Sequence, residues 1–360
     1  MVQRPLAAAH GALGWDFPEA GLEASGRSLG VWRRRGDGVR EDVVLVEGPT
    51  EAGQLVSLDE LASQWRTGAA VFAPWVPSLL FQRPSFGVDA WEVAPAIRLL
   101  PLRTPTLPPA THTNAFLVGD GPCVLVEPAP SDASEQAVLR RWLEGARAEG
   151  LEIVALVPTH HHRDHIGALG LGEALGLPIW AHRETASRID APVQRCLDAG
   201  DTLELGSIRL EVLHTPGHAP GHLCFFEPGS RTALVGDMVA GVGTILVEPG
   251  DGDMRRYLDS LRELRGLGAR KLLPAHGGVI ADPPACLDRY LAHRAMREQR
   301  VLGALTSAGA TLDELLPHVY DDVPRALWPL AAASLRAHLD KLVAEGRALL
   351  DGARWRAPDR

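Results

Sequence analysis

The apolar run Ile153-Val154-Ala155-Leu156-Val157 stops at Pro158, and the chain then places His160, His161, His162, Asp164 and His165 in quick succession. The run reads as a buried strand and proline ends it, so these side chains begin on a loop or first turn where they can converge on one point. Buried cores do not collect imidazoles and carboxylates at this density. His160, His162, Asp164 and His165 combine borderline nitrogen with hard oxygen donors, a mixture that suits zinc and, less selectively, iron or manganese.

The run is similar to the HxHxDH signature of the metallo-β-lactamase superfamily. Three later stretches resemble further motifs of that family: Thr215-Pro216-Gly217-His218 its TPGH turn, Val235-Gly236-Asp237 its GD strand end, and Pro274-Ala275-His276-Gly277 its terminal histidine motif. Each follows a short apolar run, at Ile208 to Leu213, Thr232 to Val235 and Lys271 to Leu273, which puts each ligand just past a strand end. The resemblance implies that His160, His162 and His218 hold one metal and that Asp164, His165 and His276 hold a second. Asp237 would bridge them, with Asp164 and Asp237 as the catalytic carboxylates. Two divalent metal ions are therefore expected, zinc first, with iron and manganese as alternatives. A bridging carboxylate and a bridging hydroxide offset the repulsion of two cations about 3.5 to 4 Å apart. That hydroxide would be the nucleophile, since zinc brings the pKa of bound water down to about 7.

Other histidines read differently. His161 is expected to support or to face solvent rather than to ligate, His222 to pack or hydrogen-bond behind the ligands, and His214 to face the core or to be hydrogen-bonded. His112, His182, His293, His318 and His338 have no ligand-like context, and Arg163 reads as solvated or structural.

At 360 residues the chain is long for one domain. Its net charge of −9 argues against a surface coated in basic groups for duplex binding. The four cysteines lie far apart with no C-x-x-C pair, so free buried thiols in a reducing cytoplasm are expected. Leu6-Ala7-Ala8-Ala9 is interrupted by His10 and does not read as a signal peptide. No run approaches the roughly 18 apolar residues of a membrane helix. A cytoplasmic protein with no membrane partner is expected, with a homo-oligomer open.

Along the chain, residues 1–95 suggest a small α+β region. Val31 to Arg35 and Val43 to Val46 flank a Gly36-Asp37-Gly38 turn and predict a hairpin, and Ser57-Leu58-Asp59-Glu60 predicts a capped helix toward Trp65. The pattern faintly resembles the end of a Nudix-type domain but lacks its glutamate-rich helix. Trp15, Trp32, Trp65, Trp75 and Trp91 read as core or an inter-domain face, and Arg83 to Pro109 as a linker or edge.

Residues 96–285 carry the ligand motifs. Strands at 113–119 and 122–127 joined by Asp120-Gly121 resemble the family's opening hairpin, although Glu127-Pro128-Ala129 stands where many members have Asp-Pro-Gly. A helix over Ser131 to Glu149 and another near Arg255 to Leu267 complete an α/β (α+β) pattern, an αββα sandwich. Residues 286–360 predict three helices followed by a hairpin at Asp351-Gly352, the plan of a winged helix with Trp355 packed against the helices. From about residue 97 onward the chain thus resembles the lactamase-beta-2-like branch, whose members carry such a unit.

The resemblance implies a di-metal hydrolase acting on an ester, thioester or phosphodiester. Because that branch contains RNA-cleaving members, single-stranded RNA is placed first among substrates. A glyoxalase II-like thioesterase is the alternative, since TPGHAPGH resembles that group too. A nucleic-acid-binding regulator with a vestigial metal domain is the rival from another class, and redox chemistry at an iron site is a further one.

Overall fold

The computed structural model describes residues 90–358 and, before them, only the backbone of short strands between residues 15 and 57. The chain divides into two compact units, Met1–Ala70 and Val71–Arg360. In the first, Val31–Arg34 pairs antiparallel with Asp42–Val46, as the hairpin expectation has it. The expected helix toward Trp65, and the side chains of Trp15, Trp32, Trp65 and Trp75, lie outside the described residues.

The second unit is built on two five-stranded sheets. One contains β1 (Trp91–Ala94), β2 (Ile97–Arg103), β3 (His112–Val118), β4 (Pro122–Val126) and β5 (Glu152–Val157), in the order β5-β4-β3-β2-β1. The other runs in sequence order through β6 (Thr202–Leu205), β7 (Ile208–His214), β8 (Leu223–Glu227), β9 (Thr232–Gly236) and β10 (Lys271–Pro274). The β4–β5 and β9–β10 pairs are parallel, so each needs a crossover. Helices α1 (Ala133–Ala148) and α2 (Met254–Gly266) provide them. The Asp132 carboxylate caps α1 and the Asp253 carboxylate caps α2.

Each sheet has both faces covered, which is why central strands are buried along their length instead of alternating with exposed residues. All seven residues of β3 are buried. Ala115 and Leu117 of β3 face a cluster with Leu139, Trp142 and Leu143 of α1, whereas Phe116 and Val118, equally buried, point the other way. On the second sheet, Cys224 and Phe226 pack against Leu258, Leu261 and Leu264 of α2, and Leu223 and Phe225 take the opposite face. Layered helix, sheet, sheet and helix, the unit is the expected αββα sandwich.

The segment expected to be a linker or edge from Arg83 to Pro109 contains β1 and all of β2, and β1 is the sheet's outer strand. Pro101 is tolerated because β1 pairs with β2 only from Ile97 to Leu99. Beyond that point, among the described residues, the outer side of β2 has no strand to receive a backbone N–H. Trp91–Ala94 is thus the first strand of the sandwich among the described residues. The expected 95/96 division falls between two paired strands.

After β10 come α3 (Pro283–Ala304), α4 (Leu312–Val319), α5 (Trp328–Ala344) and a hairpin of β11 (Leu349–Asp351) and β12 (Arg354–Arg356), a winged helix. Thr311 and Glu314 form the capping box that starts α4. Trp355 is buried with Val301, Leu315, Leu335 and Leu339. Helix α3 belongs to both cores, since Cys286 and Leu287 pack with the second sheet's helix layer and Val301 with the winged helix. Residue 286, the expected start of the C-terminal domain, therefore lies inside the first turn of a shared helix. All four cysteines are free, but Cys196 is exposed rather than buried. Among the described residues no helix is long and apolar enough to cross a membrane.

Candidate metal centre

All the sequence-predicted ligands follow the C-terminal ends of four strands, β5, β7, β9 and β10, on loops or, for Asp164 and His165, on the short helix Arg163–Ile166, and the structure brings them together. Close packing sets their positions. A Cβ on Gly217 would meet the Tyr257 backbone nitrogen at 2.1 Å, so the turn that presents His218 can press against α2 only as glycine. Gly236, with φ 46°, gives the same closeness to His222 and Thr159 just before Asp237. Asn114 of β3 ties the sheets at this edge: its Nδ2 donates to the carbonyls of Pro274 and Gly277, both at 2.9 Å, on either side of His276.

Three imidazoles meet first. His160 Nε2 lies 2.9 Å from His162 Nδ1, and His218 Nε2 lies 3.2 Å and 3.0 Å from those same two atoms. Their opposite nitrogens decide which atoms carry protons. His218 Nδ1 must donate to the Leu246 carbonyl at 2.8 Å, and His162 Nε2 faces the Asp251 carboxylate at 2.8 Å. Thr159 Oγ1 donates to Glu127 at 2.6 Å, so it accepts from His160 Nδ1 at 2.9 Å. All three inward nitrogens are left as bare lone pairs pointing at one another. Lone pairs at such distances repel unless a cation lies between them. Three nitrogens bound to zinc at about 2.0 to 2.1 Å in a tetrahedral arrangement would be about 3.3 Å apart, close to the spacing here.

The second group is Asp164, His165, Asp237 and His276. His276 Nδ1 donates to the His112 carbonyl at 2.9 Å, which turns Nε2 toward Asp237 Oδ1 at 3.3 Å and Asp164 Oδ2 at 3.5 Å. His165 Nε2 stands 3.6 Å from Asp237 Oδ2 and 3.7 Å from Asp164 Oδ1. Asp237 Oδ2 is also 3.5 Å from His218 Nε2, so this one carboxylate touches both groups. Asp237 Oδ1 and the inward nitrogen of His165, Nε2, are buried without a hydrogen-bond partner. Buried polar atoms left this way are costly, and they fit donors converging on cations. The residues present therefore suit two metal ions, with His160, His162 and His218 around one, Asp164, His165 and His276 around the other, and Asp237 between.

Electrostatics point the same way. Burial pushes His218 down to about 4 and His160 well below its ordinary value. Burial acts on His165 likewise, yet the Glu127, Asp164 and Asp237 carboxylates outweigh it and raise its pKa well above the usual histidine range. Burial would raise Asp237, but His276 and His165 hold it well below the usual carboxylate range.

The supporting residues were largely invisible in the sequence. Glu127 holds Thr159 and stands 3.1 Å from His165 Nδ1, thereby steadying one ligand in each group. Asp251, 89 residues from His162, faces both His162 and His161, the latter at 3.3 Å. His222 takes the supporting role expected of it, with Nε2 accepting from the Asp237 backbone N–H at 3.0 Å. His214 hydrogen-bonds to the Pro220 carbonyl at 2.8 Å and stacks on His182. His112 presents its backbone carbonyl to His276 Nδ1. Glu127→Gln keeps the shape but weakens the acceptor behind two ligands, and should lower metal affinity by about 10- to 100-fold. A competition titration against a chromophoric chelator checks this.

A cavity of about 660 Å³ opens from this centre. Its walls come from the 105–110 and 240–248 loops and from α3, α5 and the segment before α5. Arg163, at the end of the histidine loop, is exposed and lines it.

The metallo-β-lactamase superfamily model matches residues 108–276, and that of the β-lactamase-associated winged helix domain matches residues 311–355. The lactamase-like protein vrtG of Penicillium aethiopicum is 31% identical over 251 residues, 66% of this chain and 77% of its own. The β-lactamase-like protein 2 homolog of Drosophila melanogaster is 27% identical over 254 residues, 65% of this chain and 83% of its own. A metallo-β-lactamase family protein from Thermus thermophilus has a crystal structure that matches with TM-score 0.62 at 27% identity, covering 74% of this chain and 100% of that one. Motifs, sandwich and winged helix agree: the chain belongs to the metallo-β-lactamase superfamily of metal-dependent hydrolases and carries that family's associated winged helix.

Proposed function

We propose that this chain is a two-zinc hydrolase that cleaves an ester or thioester whose acyl part lies in the cavity beside the metal centre. The observation that carries this reading is the cavity's lining: Leu107, Pro108, Pro109, Val242, Ile245, Val323, Leu327 and Leu330 surround the approach to Asp164 and Asp237. Such walls desolvate an acyl chain.

The basic groups of the winged helix support the same choice over single-stranded RNA. Arg336 pairs with Asp340 at 2.7 Å, Lys341 with Glu298 at 2.6 Å, Arg354 with Glu314 at 3.0 Å, and Arg347 with Glu298. Guanidinium and ammonium groups already paired have less charge to give to phosphates.

Zinc is proposed because the donors are five imidazoles and two carboxylates. When bound, two such ions supply a nucleophile drawn from water at neutral pH and a Lewis acid for the scissile carbonyl. The chain's own part is to orient. Asp237 stands between the two ligand groups, Glu127, Thr159, Leu246, Asp251 and His112 fix the imidazole rings, and the cavity positions the acyl chain. Water adds to the carbonyl carbon, and the acid and the alcohol or thiol leave.

Assays on metal-loaded protein with a series of S-acyl thioesters, matched esters and single-stranded RNA test this. The expected result is thioester or ester turnover whose kcat/KM rises about fourfold per added methylene until the cavity is full, from about 0.8 kcal/mol per buried CH₂. Cleavage of RNA with no turnover of either acyl series would sink the reading.

A further inference from the structure

The cavity also holds a guanidinium with no counter-ion. Arg294, on α3, is 2% exposed and lines the cavity. Its Nη2 donates to the Ile245 carbonyl, its carbon lies 5.4 Å from the Tyr257 ring centroid, and its Nε has no hydrogen-bond partner. Among the described residues no carboxylate stands within ion-pairing distance of it. Arg297, one turn further on, is different, because it donates to both Asp322 oxygens at 2.7 and 2.9 Å and so is already neutralised. The acidic residues that line the cavity are Asp164 and Asp237, which belong to the metal centre, and Glu248.

A buried cation without an anion is among the costlier features a fold can carry. The Tyr257 ring compensates one face of the guanidinium, but among its in-plane N–H donors Nε is left without a partner. Those donors form a planar fork that suits a carboxylate. One buried unpaired charge matches a monoanion: the neighbouring Arg297 has no charge to spare for a second, and Arg163, which also lines the cavity, is exposed to solvent rather than buried beside Arg294. Placement ties the fork to the chemistry. Ile245, whose carbonyl holds Arg294, is followed by Leu246, whose carbonyl orients the ligand His218.

We propose that Arg294 forms a carboxylate subsite in this cavity, so that the substrate is an acyl ester or thioester bearing a second, free carboxylate. As a statement about substrate this rests on the hydrolase reading above. As a statement about binding it stands by itself.

Calorimetric titration of the full-length, metal-loaded protein with octanoate and with neutral octanamide tests the binding. Wild type should hold octanoate at least about tenfold more tightly, the scale of one charge-assisted pair. Arg294→Gln should remove that preference while leaving octanamide affinity unchanged, and unchanged octanamide affinity certifies an intact cavity. Arg294→Lys, which keeps the charge and loses the fork, should fall between. Equal binding of the two probes by wild type overturns the subsite. So does an octanoate preference that survives Arg294→Gln, which would place the carboxylate on the metals.

Turnover of S-octanoyl and S-(7-carboxyheptanoyl) thioesters then separates the two claims. If neither is hydrolysed, the hydrolase reading falls and the binding result still decides the subsite. If both are hydrolysed with equal kcat/KM, the subsite falls and the hydrolase reading stands.

Discussion

Replacing Asp237 by asparagine is expected to lower metal content and turnover together, with turnover falling about 10³-fold or more. The carboxylate touches both ligand groups, at 3.5 Å from His218 and 3.3 Å from His276, and two cations held close together there would rely on its negative charge. A neutral amide of the same shape keeps the packing and loses that charge. Losing about 4 kcal/mol of transition-state stabilisation, within the several kcal/mol ascribed to metal catalysis, corresponds to about 10³ in rate. Elemental analysis and steady-state kinetics on the same sample check it. An Asp237→Asn protein with full metal and near wild-type turnover would remove Asp237 from its bridging position.

His338 should make the winged-helix end of the molecule sensitive to acid. It lies on α5, fully buried, and neither ring nitrogen has a hydrogen-bond partner. Burial, together with Arg294 and Arg297 of α3, Lys341 of α5 and His293, lowers its pKa to about 3. The unfolded chain takes up this proton below about 6.5, whereas the folded protein refuses it until about 3. Stability is therefore lost as pH falls through that window, by about 3 kcal/mol at pH 4. His338→Leu removes both the proton uptake and the unsatisfied ring. Urea unfolding at several pH values should show the variant gaining on wild type steadily from pH 6.5 to 4. A stability difference that does not change with pH contradicts this account.

How much of the fold was legible depended on how local its cause was. The run Ile153 to Val157 followed by Pro158 marks a strand and its end within a few residues, and the pair Thr311 and Glu314 marks a helix start in the same way. The ligand positions were legible because each motif stands at a strand end. What could not be read was set by distant packing. Pro101 made β2 look like a linker, and only the limited reach of β1 explains its place in a sheet. Asp251 has no local pattern, and it meets His162 because two loops far apart in sequence are brought together. Arg294 looked like one more arginine on a helix, and its burial against the 240–248 loop follows from how α3 packs across both cores. Glu127 was legible as a retained carboxylate, but its position between Thr159 and His165 was not.

The most direct measurement is metal stoichiometry. Protein saturated with zinc, dialysed and analysed by elemental mass spectrometry should contain two ions per chain, because two groups of bare donors share Asp237. Removal of both ions by chelation should abolish hydrolysis, and restoring them should restore it. At most one ion per chain in a fully loaded, active sample would contradict the two-metal centre.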